Sequence, residues 1–119
     1  MKNLFFSLIA LVSVVFSANA QSNGGFVGPK APSIAPMTVK QALDVRDDTV
    51  IVLNGKIINS LGDEKYMFAD ATGQVMIEID DDDWHGVTVT PEDTLEITGE
   101  VDKEFMEQTK IDVKSFKVK

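Results

Sequence analysis

A chain of 119 residues suffices for one domain and is too short for two. Its 19 Asp and Glu against 11 Lys and Arg give a net charge of −8, which repels phosphate backbones and anionic membrane faces, so nucleic acid is not an expected partner. With no Cys anywhere, disulfides, Cys-type zinc sites, redox pairs and thiol nucleophiles are excluded, and stability must come from burial.

The chain opens on a leader. Lys2 supplies a short basic region, Leu4 to Phe16 is apolar with no polar face, and Ser17-Ala18-Asn19-Ala20 ends in the small-x-small pattern of a signal-peptidase site. Residues 1–20 are read as a signal peptide cleaved after Ala20. The run of 13 residues falls short of the roughly 20 that span a bilayer, so no stable membrane insertion is expected after cleavage. The 99 residues that remain (119 less 20) carry ten Lys and Arg against 19 acids, a net charge of −9.

Residues 21–37 are rich in Gly, Pro, Ser and Ala and read as an extended tail. The domain is expected to begin at residue 38. Thr38-Val39-Lys40-Gln41 has the capping-box pattern, and the apolar spacing after it predicts a helix of about two turns over Thr38–Val45. The first strand is expected over Val50–Ile58, with Gly55 where it must bend sharply. A turn at Ser60–Glu64 leads to a second strand, with Tyr66 and Phe68 on one face. Asp70-Ala71-Thr72-Gly73 has Asp first and Gly last, as a type I turn prefers. In the third strand Val75, Ile77 and Ile79 point inward, and Met76 and Glu78 outward.

Asp80 to Asp93 reads as an acidic connection with room for no more than one helical turn. The fourth strand is expected over Thr94–Val101. Phe105 and Met106, in the following loop, are expected to plug one mouth of a barrel. The fifth strand is Lys110–Val118, and its inward parity switches from Ile111 and Val113 to Phe116 and Val118, which implies an irregularity near Ser115. Five strands, a glycine bend in the first and a long connection between the third and fourth describe a mainly β fold: a five-stranded oligonucleotide/oligosaccharide-binding (OB) Greek-key barrel with a short N-terminal helix.

The ordered set Gly24-Gly25-Phe26-Val27-Gly28-Pro29, Asp47-Asp48, Leu61-Gly62-Asp63-Glu64, Tyr66, Phe68, Asp70, Thr72-Gly73, Glu78-Ile79-Asp80, Asp83-Trp84, Thr90-Pro91, Gly99-Glu100-Val101-Asp102 and Ile111-Asp112-Val113 carries a further resemblance. Across nearly the whole mature domain the chain resembles the bacterial OB-fold (BOF) family of small periplasmic stress-tolerance proteins, the YgiW/YdeI-like group. That resemblance implies a periplasmic, non-enzymatic protein tied to envelope tolerance of oxidative, acid or cation stress. It supplies no catalytic residue.

Several candidate sites can be read from the residues. Asp81-x-Asp83-x-His85-Gly86-x5-Glu92 nearly reproduces a calcium-loop spacing, so Asp81, Asp83, His85 and Glu92 are the metal candidates and a divalent cation the one cofactor to test. His85 replaces an oxygen ligand, Pro91 stiffens the exit and strands flank the loop, all of which favour a solvated acidic turn. Trp84, the sole Trp, either caps the barrel or offers a stacking surface. Tyr66 and Phe68, with Glu78 nearby, occupy the sheet region where OB barrels bind ligands, and packing is their other reading. Acidic neighbours suit a small molecule, an envelope glycan or an envelope protein better than DNA or RNA. A nuclease would need Arg groups beside its carboxylates, and the chain has one Arg, Arg46.

Overall fold

Strands form where branched and aromatic apolar residues alternate with polar ones, and five such runs close one barrel. The computed structural model describes residues 25–29 and 33–119, and the leader expected over 1–20 lies outside them. The strands are β1 (Val50–Gly62), β2 (Lys65–Asp70), β3 (Gly73–Glu78), β4 (Leu95–Asp102) and β5 (Lys110–Val118), preceded by a helix, α1 (Val39–Ala42). Around the closed barrel the order is β1-β2-β3-β5-β4. All neighbours are antiparallel except β3 and β5, whose parallel pairing covers only Met76–Glu78 against Lys110–Asp112. Among the described residues no helix is long and apolar enough to cross a membrane.

β1 serves two neighbours in turn. Val50–Gly55 pair with β4, and the stretch from Lys56 to Gly62 pairs with β2. The strand therefore runs past Ile58, because β2 continues to pair with it up to the turn. Gly55 sits at the handover, where a Cβ would run into the Ala69 carbonyl oxygen and the Phe68 ring. The bend expected there has its cause in that close approach. In β5 the register breaks opposite Thr98 and Gly99: Ser115 pairs with Thr98 and Val113 with Gly99, leaving Lys114 as the extra residue. This is the irregularity that the parity switch predicted.

Inward residues of all five strands form the core: Ile51, Leu53, Ile57, Phe68, Val75, Ile77, Ile79, Leu95, Ile97, Val101, Ile111 and Val113. Val39 and Ala42 join them from α1. The helix is one turn, shorter than the Thr38–Val45 span predicted. It ends at Leu43, and Asp47 and Asp48, the latter at φ 66°, turn the chain into β1. Val45 still packs against the core, from outside the helix.

The N-terminal cap is complete. The Thr38 hydroxyl accepts from the Gln41 N–H at 3.1 Å, and the Gln41 side chain accepts from the Thr38 N–H at 2.9 Å. The Val39 N–H donates to Asp70 (2.9 Å) and the Lys40 N–H to the Thr72 hydroxyl (3.0 Å), which seats the helix on the β2–β3 turn. Met37 bridges to Leu53 in parallel fashion, and the compact unit runs from Ser33 to Lys119.

Phe105 and Met106 do not plug a mouth. They are 90% and 86% exposed in the β4–β5 loop, beyond the last rung of the ladder, Asp102–Lys110, and flanked by Glu104 and Glu107. The residue that fills the open mouth is Trp84.

Candidate functional site at the Trp84 mouth

Both seams of the barrel part at one end. β4 starts at Leu95, so β1 beyond Gly55 has no partner on its β4 side, and β3 ends at Glu78, so β5 beyond Asp112 has none on its β3 side. The β3–β4 connection crosses this opening. It begins with a single 3-10 turn, Asp81–Asp83, where the Asp83 N–H donates to the Asp80 carbonyl at 2.9 Å. That turn ends at Trp84 and directs its indole back over the mouth, where it packs against the core.

Three aromatics meet there. The Trp84 ring lies edge-on to Tyr66 (centroids 5.6 Å apart, 73° between planes) and to Phe116 (5.2 Å, 62°). Such pairs contribute about 0.5–1.5 kcal/mol each beyond the area they bury. All three rings are half-buried, and Val89 packs beside them. A groove of about 230 Å3 lies on the Tyr66 side, between Ile57–Ser60 and Val89–Pro91. A second, of about 180 Å3, lies on the Phe116 side, between Asp83–His85 with Val87 and Lys114–Val118.

The structure brings Tyr66 and Trp84 together and separates the other candidates from them. Phe68 shares the inward face with Tyr66 but is fully buried under Gly55, so it packs and cannot present a ring to a ligand. Glu78 alternates with the inward Ile77 and Ile79 and so points to the outer wall, where Lys110 holds it at 2.7 Å. Lys110 also approaches Asp102 at 3.6 Å. The hydrogen bond to Glu78 outweighs partial burial and raises the ammonium's pKa. Phe116 was missed as a site residue, although the parity switch in β5 was a signal that it turned inward.

The metal candidates do not assemble either. In a 3-10 turn side chains fan outward, so Asp81 and Asp83 do not converge. His85 is exposed at φ 49°, and Glu92 lies in a separate turn whose carboxylate cap is Asp93, accepting from the Thr90 N–H at 2.8 Å. Among the described residues the carboxylates that do converge are Glu64, Glu78 and Asp80, with ligand atoms within 4.8 Å of one another. Repulsion from Glu64, then desolvation and the charges of Asp83, Asp112 and Glu78, raise the pKa of the exposed Asp80. The oxygen donors suit a hard cation. Glu64 already accepts from the Asp81 N–H (2.7 Å), and Lys110 already supplies a positive charge at Glu78.

The comparisons with known proteins agree with this architecture. A family profile described as bacterial OB fold (BOF) protein matches residues 15–118. Protein YgiW of Escherichia coli K12 is 40% identical over 124 aligned positions, covering 94% of this chain and 95% of YgiW. The solved structure of YgiW from E. coli superposes with a TM-score of 0.70 at 44% identity, covering 82% of this chain and all of that one. The calcium-regulated OB-fold protein CarO of Pseudomonas aeruginosa is 39% identical over 82 residues, covering 69% of this chain and 70% of CarO. The strand order, the bent first strand and this match over most of the length make the chain a member of the bacterial OB-fold family.

Proposed function

We propose that the protein is a periplasmic, non-enzymatic binding module that supports envelope tolerance of oxidative, acid or cation stress. The observation that carries this reading is Trp84, half-buried between Tyr66 and Phe116 with a groove open on each side. An aromatic floor with a few polar groups at its rim suits a small molecule or an envelope glycan. The Tyr66-side groove offers Asn59, Ser60 and Thr90 as polar partners and no Lys or Arg, which argues against a phosphate backbone. Neither groove wall carries a pair of carboxylates, which favours holding over transforming a ligand.

Trp84 is the sole Trp, so its emission reports on this mouth alone. Titration with cell-wall disaccharides, neutral small molecules and short oligonucleotides is expected to give a saturable shift with a member of the first two classes. Tyr66→Ala is expected to abolish it. A flat response to everything, or saturation by the oligonucleotide alone, removes the reading.

A second reading has its own observation, the convergence of Glu64, Glu78 and Asp80. In this reading a divalent cation bridges these carboxylates on the outer wall, competing with Lys110, and the calcium-regulated CarO is the relative that makes calcium the first ion to try. Calorimetry with calcium is expected to give weak heat that Lys110→Met strengthens and Glu64→Gln with Asp80→Asn removes. No heat from either the wild type or Lys110→Met ends this reading.

A further inference from the structure

We propose that the free edge of β5 is a docking rail for an extended, acid-bearing segment of a partner protein, which joins the barrel as an added strand. This rests on the reading of the Trp84 mouth as an interaction site and names a partner chemistry for its Phe116 side. One wall of that groove is the consecutive run Lys114, Ser115, Phe116, Lys117 and Val118. Successive residues of a strand point to opposite faces, so a groove touching all five runs along the backbone edge and not over one face. On that side β5 pairs with β3 only as far as Asp112. No backbone hydrogen bond from the β3–β4 connection reaches Val113–Val118 among the described residues. Main-chain donors and acceptors therefore line the groove, and these are what an incoming strand binds.

Charge selects the partner. The groove itself is lined by Lys114 and Lys117 against Asp83, a net charge of +1 (2 − 1) in a chain whose total is −8. Lys114 and Lys117 line the groove, each tied to a single carboxylate, Asp112 at 3.1 Å and Glu96 at 3.3 Å, and each more than half exposed. Acidic side chains of an added strand meet these lysines, and its alternate apolar side chains turn toward Trp84 and Phe116. A second copy is a poor occupant, since edge-to-edge pairing through β5 would set lysines against lysines. The other open edge, Ile57–Ser60 of β1, has a register shift in mid-run, between Ile57 and Asn59, and is faced by Pro91, whereas β5 runs regularly from Ser115 to Val118 once past its bulge at Lys114.

The test uses the purified protein and three blocked heptapeptides: alternating Glu and Val, alternating Lys and Val, and the Glu–Val peptide N-methylated on alternate amides so that one edge cannot donate. The Glu–Val peptide is expected to bind saturably, shift Trp84 emission and slow amide exchange in Val113–Val118. N-methylation is expected to weaken it by about tenfold or more, as the loss of one or two hydrogen bonds implies. Lys114→Glu with Lys117→Glu is expected to reverse the preference to the Lys–Val peptide, a gain that an unfolded variant could not show. No saturable binding, equal binding of the N-methylated peptide, or a concentration-dependent dimer that the peptide disperses would each overturn the proposal. Tyr66→Ala, on the other groove, is expected to leave peptide binding intact. Small-ligand binding without peptide binding therefore sinks the added strand alone, and peptide binding without small-ligand binding sinks the small-molecule or glycan ligand of the proposed function alone.

Discussion

At one end of the barrel α1 closes the core, and at the other Trp84 does, and the two closures differ in how completely their parts satisfy one another. At the helix end Val39 and Ala42 are fully buried, the capping box is reciprocal, and Asp70 accepts from the backbone of Val39, Thr72 and Gly73 as well as from the Thr72 hydroxyl. At the Trp84 end three rings touch edge to face, two strand edges lie unpaired, and grooves open on both sides. Groups that are satisfied internally stabilise, and groups left with unused contacts are available to something else. The comparison teaches that the helix end satisfies its own groups, whereas the Trp84 end keeps unpaired strand edges and open grooves.

Mutations can break or sharpen that contrast. Phe68 lies between the two ends and is fully buried, so Phe68→Ala is expected to cost about 3–5 kcal/mol in urea unfolding and sets the scale for the shared core. Trp84→Ala removes a ring that is only half-buried, so a cost of about 1–2 kcal/mol is expected, well below the 3–5 typical of a fully buried aromatic. Its larger effect is expected on ligand titrations. A cost equal to that of Phe68→Ala would mean that Trp84 is core, and the contrast between the ends would fail.

Thr38→Ala deletes one half of the capping box and is expected to cost about 1 kcal/mol without changing any ligand response. A change in ligand response would show that the ends are coupled. The smallest expected effect is acid sensitivity. Partial burial works to raise the pKa of Asp70, but the Thr72 hydroxyl and the N–H groups of Val39, Thr72 and Gly73 outweigh it and hold the carboxyl below its ordinary 3.8. A depressed carboxylate stabilises the fold above 3.8, and that contribution is lost as pH falls through the lower folded value. Amide exchange at Val39 and Lys40 is therefore expected to quicken below pH 3.8 before exchange in β4 does, and Asp70→Asn is expected to abolish the difference.

Much of the wall was legible beforehand because its signals are local. Alternation in Val75, Ile77 and Ile79 fixes which side of β3 is inward, Gly55 marks a bend that no side chain tolerates, and the parity switch in β5 announces the bulge at Lys114. The site was less legible. Tyr66, Phe68 and Glu78 were grouped because they fall in the sheet region where OB barrels bind ligands, yet alternation sends Glu78 outward and Gly55 admits the Phe68 ring to the core. The calcium-like spacing at Asp81–Glu92 presumes a loop that wraps one point, and the 3-10 turn unrolls it instead. Phe105 and Met106 looked like a plug on hydrophobicity alone, but the length of the β4–β5 ladder carries them past the mouth.

By itself the sequence determined the strand count, the bend, the capped helix start and the charge, since each depends on residues within a few positions of one another. Only the tertiary structure decided which seams stay open, because that depends on β4 starting at Leu95 and β3 stopping at Glu78 on strands that meet from distant parts of the chain. The same is true of Trp84 sitting over Tyr66 and Phe116, 18 positions behind it and 32 ahead (84 − 66 and 116 − 84), a meeting that no local pattern encodes.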